Sequence, residues 1–187
     1  MKIKSAIMGS LSILACGICW AATTAAQANA GADAGAWLHV SKSITIDAPA
    51  DKVWNAVKDF DALNTWHPAV DKDEIVAGKN NRVGAERLLT LKGGGTIRER
   101  LLRFNRAKRS FAYEIVEGVL PVSDYRSRLV VSSAGDSAAK VTWSGRFKRK
   151  NVGANPADNE NDKTAVDTVS GVYQGGLDNL KKMLEGK

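Results

Sequence analysis

The sequence predicts an α+β fold: one strand, two short helices, six further strands and a long C-terminal helix. Three observations lead there. From residue 74 to residue 148 the chain is a succession of strand-like amphipathic runs, each bounded by turn-forming residues. Beyond residue 165 the apolar period changes from that of a strand to that of a helix. Between Thr96 and Phe147, Glu99, Tyr113 and Tyr125 sit among apolar residues on faces where a core is expected. A closed core tolerates buried polar groups only when they are paired, so these faces predict a sheet that looks onto a cavity.

The first thirty residues are set apart. Lys2 and Lys4 form a positive start, Ile7 to Ala22 is apolar without a charge, and Ala28-Asn29-Ala30 is a small-x-small cleavage signal. The apolar run is shorter than the roughly 20 residues a bilayer span needs, which predicts export with cleavage after Ala30 or Ala28 and no membrane association afterwards. Cys16 and Cys19, the two cysteines, both lie in this segment, so the mature chain has no thiol for a disulfide, a thiolate metal site or a nucleophile. Cleavage after Ala30 leaves 157 of the 187 residues, enough for one domain. Removing Lys2 and Lys4 leaves 25 basic residues against 20 acidic ones, a net +5. In an exported protein that excess points to docking on the acidic surface of a partner and not to nucleic acid.

Residues 31–38 read as a flexible leader, with residues 39–187 as the folded domain. Val40 to Ile46 alternates as a first strand, and Asp47-Ala48-Pro49-Ala50 stops it and starts a helix. Val53, Trp54, Val57 and Phe60 have helical spacing, and a second short helical segment closes at Asn64-Thr65-Trp66-His67-Pro68. Strands follow over 74–77, 85–91, 96–104, 111–117, 124–131 and 140–148, with turns at Gly78-Lys79-Asn80-Asn81, Gly93-Gly94-Gly95 and Ala134-Gly135-Asp136-Ser137. Residues 151–161 are a polar loop. Ala165, Val166, Val169, Val172, Tyr173, Gly176, Leu177, Leu180 and Leu184 trace one face of the last helix. Gly175 and Gly176, each costing ~1 kcal/mol in a helix interior, predict a close approach by the sheet or a ligand.

That order, together with Trp66-His67-Pro68, Ile97-x-Glu99-Arg100-Leu101, Leu120 to Ser127 and Val141-Thr142-Trp143-Ser144-Gly145-x-Phe147, resembles the START/Bet v 1-like superfamily in its SRPBCC, polyketide cyclase/dehydrase-type branch. The resemblance implies the helix-grip fold, a curved antiparallel sheet of about seven strands wrapped around the long C-terminal helix over an apolar cavity. Thr65-Trp66-His67-Pro68-Ala69-Val70, Leu89 to Ile97, and Gly171-Val172-Tyr173-x-Gly175-Gly176-Leu177 are similar to MxaD-type periplasmic proteins of methanol oxidation. That similarity implies an accessory role between a quinoprotein dehydrogenase and its cytochrome c acceptor. The loop 151–161 departs from it in holding a single proline, Pro156.

Strand parity sorts the side chains. Ile97, Glu99 and Leu101 share a face, as do Tyr113, Ile115 and Glu117, then Tyr125, Ser127, Leu129 and Val131, then Val141, Trp143, Gly145 and Phe147. The predicted cavity or ligand-binding set is Trp66, Glu99, Tyr113, Tyr125, Ser127, Trp143, Tyr173 and Leu177; for Trp66 and Tyr173 packing is the favoured role and gating of the cavity the alternative. The competing role for Glu99 is an ion pair with an inward arginine such as Arg87. Arg98, Arg100, Arg126, Arg128, Arg146 and Lys148 form the predicted outer docking face. Leu102, Phe104 and Val130 fall on that side too, which predicts bulges. His39 and His67 are the only histidines, no cluster has metal-ligand spacing, and no catalytic group or cofactor is assigned. The favoured expectation is an accessory protein that docks a periplasmic dehydrogenase, its cytochrome c, or both. A carrier of a small hydrophobic ligand comes second, and cyclase- or dehydratase-like chemistry at Glu99 third.

Overall fold

The computed structural model describes residues 35–186; the predicted signal segment lies outside them. Seven strands run β1 (Leu38–Ile46), β2 (Val70–Ala77), β3 (Glu86–Leu91), β4 (Thr96–Asn105), β5 (Ser110–Gly118), β6 (Val122–Ser133) and β7 (Ala139–Arg149). They form one curved antiparallel sheet in the order β1-β7-β6-β5-β4-β3-β2. Helix α1 (Ala50–Val57) follows β1, and helix α2 (Asp162–Glu185) closes the chain. This is the helix-grip arrangement. The second short helical segment is a single 3₁₀ turn, Leu63–Thr65. Strand β1 starts at Leu38, so that Leu38 and His39 are strand; Leu38 had been assigned to the leader.

Local chemistry explains the helices. Ala50, Val53, Trp54 and Val57 are all buried, an i, i+3, i+4, i+7 stripe that turns one face of α1 inward. At the start of α2 the Asn161 side chain accepts the Thr164 N–H at 2.8 Å, satisfying one of the free amides of the first turn. At its end Gly186 takes a left-handed conformation (φ 70°) that terminates the helix. The buried stripe of α2 runs Ala165, Val169, Tyr173, Gly176, Leu177 and Leu180, and the helix packs against β1 and β7.

Bulges set which residues look inward. A register shift between Leu101 and Arg103 returns Phe104 to the inner face, where it packs against Trp54 at 5.8 Å between ring centroids. A second shift pairs Glu99 with Ile115 but Arg98 with Glu117, which swings Glu117 to the outer face. Glu117 had been expected beside Tyr113 and Ile115; its side chain is instead 71% exposed and reaches toward Arg98. A third irregularity in β6, with Asp124 at φ 51°, sends Tyr125 inward. The core is rich in aromatic rings, with Trp54, Phe60, Trp66, Phe111, Tyr113, Tyr125, Trp143, Phe147 and Tyr173 all buried.

Candidate functional site

Where the sheet curves over α2, β6 and β7 bring a serine and a tryptophan beneath the helix's tyrosine. Tyr173 lies over Trp143, with centroids 4.6 Å apart. This approach requires Gly145, because a Cβ there would overlap the Tyr173 hydroxyl. Gly176 serves the same contact one turn on: a Cβ would lie 2.6 Å from His67 Cδ2 and 2.9 Å from Trp143 Cζ3. Gly175 faces open space instead. Only the second glycine of the pair marks a close approach, and what approaches is the sheet and His67.

The polar atoms in this region satisfy one another. Ser127 Oγ donates to Ser144 O at 3.0 Å and accepts from Trp143 Nε1 at 3.0 Å, which also reaches Tyr113 Oη at 3.0 Å. Ser127 has a single hydroxyl proton, so Tyr173 Oη is the donor in their 2.9 Å bond. Tyr125 Oη in turn donates to Tyr173 Oη at 2.6 Å. The proton order is thus fixed from Tyr125 through Tyr173 and Ser127 to the backbone. Burial pushes Tyr113 up to about 12 and also holds Tyr125 and Tyr173 well above the ordinary phenol value, so all three phenols stay neutral. His67 Nδ1 accepts the Ala69 N–H at 3.2 Å, which leaves Nε2 to donate to Val172 O at 2.9 Å. Burial holds this imidazole below its ordinary value, and it pins α2 as a neutral ring.

A second buried cluster sits on β2, β3 and β4. Arg87 Nε and Nη2 both donate to Glu99 Oε2, at 2.8 and 2.6 Å. Its Nη1 donates to Phe60 O at 2.6 Å and to Asp73 Oδ2 at 3.2 Å, and its guanidinium lies 4.2 Å from the centre of the Phe60 ring. One cation therefore serves two carboxylates in a site almost closed to solvent. Burial raises both Asp73 and Glu99 above the ordinary carboxylate range despite Arg87. Asp73 Oδ1 is buried with no hydrogen-bond partner. Glu99 Oε1 accepts no hydrogen bond among the described residues, and Glu99 lines a small apolar cavity.

That cavity has a volume of only about 70 Å³. It falls well short of the roughly 300–1,000 Å³ of drug-sized ligand sites. Of the eight predicted residues, Glu99, Tyr113, Tyr125 and Trp143 form part of its wall. Trp66, Ser127, Tyr173 and Leu177 pack behind the wall and are buried, so neither Trp66 nor Tyr173 stands at a mouth. The wall also includes His67, Val70, Leu89, Leu120 and Val172. Among the described residues, no group of three or more His, Cys, Asp or Glu side chains could hold a metal ion.

On the outer face of the sheet Arg98 and Arg100 both bind Glu86, Arg100 also reaches Glu114, and Lys148 pairs with Asp124 at 3.1 Å. Arg126, in one cross-strand row with Arg100 and Glu114, reaches Glu114 at 3.5 Å, so that four of the six predicted docking residues are engaged internally. Arg128 has no ion pair among the described residues, and Arg146 stacks on Trp37 at 3.6 Å. Arg103 and Lys108, which parity did not place here, join them. The bulge at Leu102 is what turns Arg103 outward.

Comparison with known proteins agrees with this architecture. The chain is similar to the protein XoxI from Bacillus cereus, at 28% identity and a TM-score of 0.68 over 78% of this chain and 94% of that one. An uncharacterised protein from Bacillus thuringiensis shares 29% identity with a TM-score of 0.69, over 79% and 98% of the two chains. The Zhui aromatase/cyclase from a Streptomyces shares the fold at 18% identity and a TM-score of 0.63, over 80% of this chain and 94% of that one. No curated protein matches in sequence. The family described as polyketide cyclase / dehydrase and lipid transport matches residues 38–185, almost the whole of the described domain, and the chain belongs to that family.

Proposed function

We propose that this protein is an exported, periplasmic accessory protein of the MxaD type, which acts by binding and not by turnover. In this reading it aids the meeting of a quinoprotein alcohol dehydrogenase, such as a methanol dehydrogenase, with its cytochrome c acceptor. The observation that carries the reading is the contrast between inside and outside. Inside, the phenols bond to one another, to Ser127 and to Trp143, and the acids to Arg87, around a cavity of about 70 Å³; outside, Arg103, Arg126, Arg128 and Arg146 gather in one trough, with the contact of Arg126 to Glu114 their one ion pair among the described residues. Exposed charge of that kind speeds encounter with an acidic protein and loses its effect as salt rises. Further support comes from the resemblance at Trp66-His67-Pro68 and Gly171 to Leu177. The test is the rate of electron transfer from purified dehydrogenase to its cytochrome, with and without this protein, alongside direct capture of either. A faster, salt-sensitive transfer is expected; no capture and no change in rate would refute the role.

A second reading, carriage of a small hydrophobic molecule, is favoured by Glu99, which lines an apolar cavity and whose Oε1 has no hydrogen-bond donor among the described residues. Native mass spectrometry of protein taken from its own periplasm tests it. A reproducible bound molecule supports carriage, and an empty cavity counts against it.

A further inference from the structure

We infer that the trough on the outer face of β4, β5, β6 and β7 is a docking site for an extended, acidic polypeptide segment with carboxylates at alternate positions. The inference rests on the docking role proposed above and names both the site and the chemistry of what enters it.

The trough is an open depression of about 650 Å³, and no aspartate or glutamate lines it. Its geometry follows from two neighbouring cross-strand rows. In one row Arg103, Ala112, Arg128 and Ser144 stand opposite one another across β4, β5, β6 and β7. The methyl of Ala112 and the small Ser144 side chain form a low floor between arginines. Arg103 and Arg128 are two strands apart, about 10 Å at the sheet's ~4.8 Å spacing. In the next row Arg126 directly faces Arg146. Like charges opposed across an antiparallel pair are destabilising; of the two carboxylates that line a pocket with this pair, Glu114 is held by Arg100 as well and Asp124 by Lys148. The fold thus keeps a repulsion that an external anion would relieve.

Spacing selects the occupant. Arg126 and Arg128 project from the same face of β6, two residues and about 6.8 Å apart. An extended segment lying along β6 carries its own same-face side chains at that repeat, so alternate carboxylates meet the two guanidinium groups in turn. Arg146 and Arg103 then close on the segment from either side. A flat anionic surface fits poorly, because Glu117 and Asp124 stand on the same sheet face, 71% and 58% exposed, and would press against it.

The test measures binding of a short labelled peptide with glutamate at alternate positions. A peptide of identical composition with its glutamates contiguous, an oligonucleotide of equal charge, and anionic vesicles serve as competing probes. The protein variants are Arg103→Glu with Arg128→Glu, and a charge-matched control, Lys92→Glu with Lys182→Glu, one in the exposed turn between β3 and β4 and one in the exposed last turn of α2. The alternating peptide is expected to bind most tightly. The trough variant should lose at least about tenfold, from two lost contacts plus new repulsion, while the control changes by less than about twofold because its charges lie beyond the screening length. Equal losses in the two variants, or equal or tighter binding by any competing probe, would overturn the inference. Peptide binding that survives while dehydrogenase and cytochrome are both ignored would refute the accessory role and leave the trough standing. Capture of either protein that is indifferent to the trough variant would do the reverse.

Discussion

Replacing Arg87 by methionine removes the one cation between two buried carboxylates. Arg87 makes four hydrogen bonds, two to Glu99, one to Asp73 and one to the Phe60 carbonyl, with its side chain 3% exposed. Breaking a buried pair by deleting one partner costs about 3–5 kcal/mol, because the remaining charge is left uncompensated. With a urea slope of roughly 1–3 kcal/mol per molar, a loss near the middle of that range moves the unfolding midpoint by roughly 2 M. The loss should depend on pH in a defined direction. Burial already raises Asp73 and Glu99 above their ordinary values, so the folded state binds their protons more tightly than the unfolded chain does. Their penalty is absent below the ordinary carboxylate range and grows as pH rises through the raised values. Without Arg87 both groups rise further, so acidification should restore much of the stability lost at neutral pH. Adding Glu99→Leu should also recover part of it. Urea titrations of the parent and variants across acid to neutral pH measure all of this. A neutral-pH loss below about 1 kcal/mol, or a loss that does not change with pH, would refute the reasoning.

The paired glycines of α2 should respond with opposite signs. Gly175→Ala adds a Cβ to open space and should stabilise by about 0.5–1 kcal/mol, whereas Gly176→Ala drives into His67 and Trp143 and should cost about 1–3 kcal/mol; thermal unfolding of the two variants reads both. The chain's three tyrosines, Tyr113, Tyr125 and Tyr173, all belong to the buried network. Phenolate absorbance in the folded protein should therefore stay flat through pH 10, with Tyr113 ionising at about 12, unless the protein unfolds first; an ordinary titration near 10 would show that the network is open to solvent.

Much of the architecture was legible because it depends on periodicity. The alternating strands and the i, i+3, i+4 stripe of α2 leave direct traces in the order of apolar residues. Register is different. The bulges at Leu102 and near Val116 each insert one residue, and one residue reverses the facing of everything beyond it. That is why Arg103 and Glu117 turned out on the outer face and Phe104 on the inner. Asp73 was missed for a related reason: it precedes the predicted start of its strand, and only the folded sheet brings it beside Arg87. The volume left inside the sheet was also beyond reach, since it depends on how nine aromatic rings tile together and not on any one position.

The first strand of this sheet hydrogen-bonds to the last, and the end of β1 is clasped by the end of α2: Lys181 Nζ donates to Thr45 O at 2.7 Å, and Asp47 N donates to Glu185 at 2.9 Å. A polypeptide wired this way cannot mature from one end as it is made. Its opening segment has no neighbour until about a hundred residues later, and the final turn of helix must arrive before the seam is tied. Such distant pairings slow assembly and leave strand edges bare while it waits. Shortening the tail by one helical turn therefore strikes at the beginning of the chain as much as at its end.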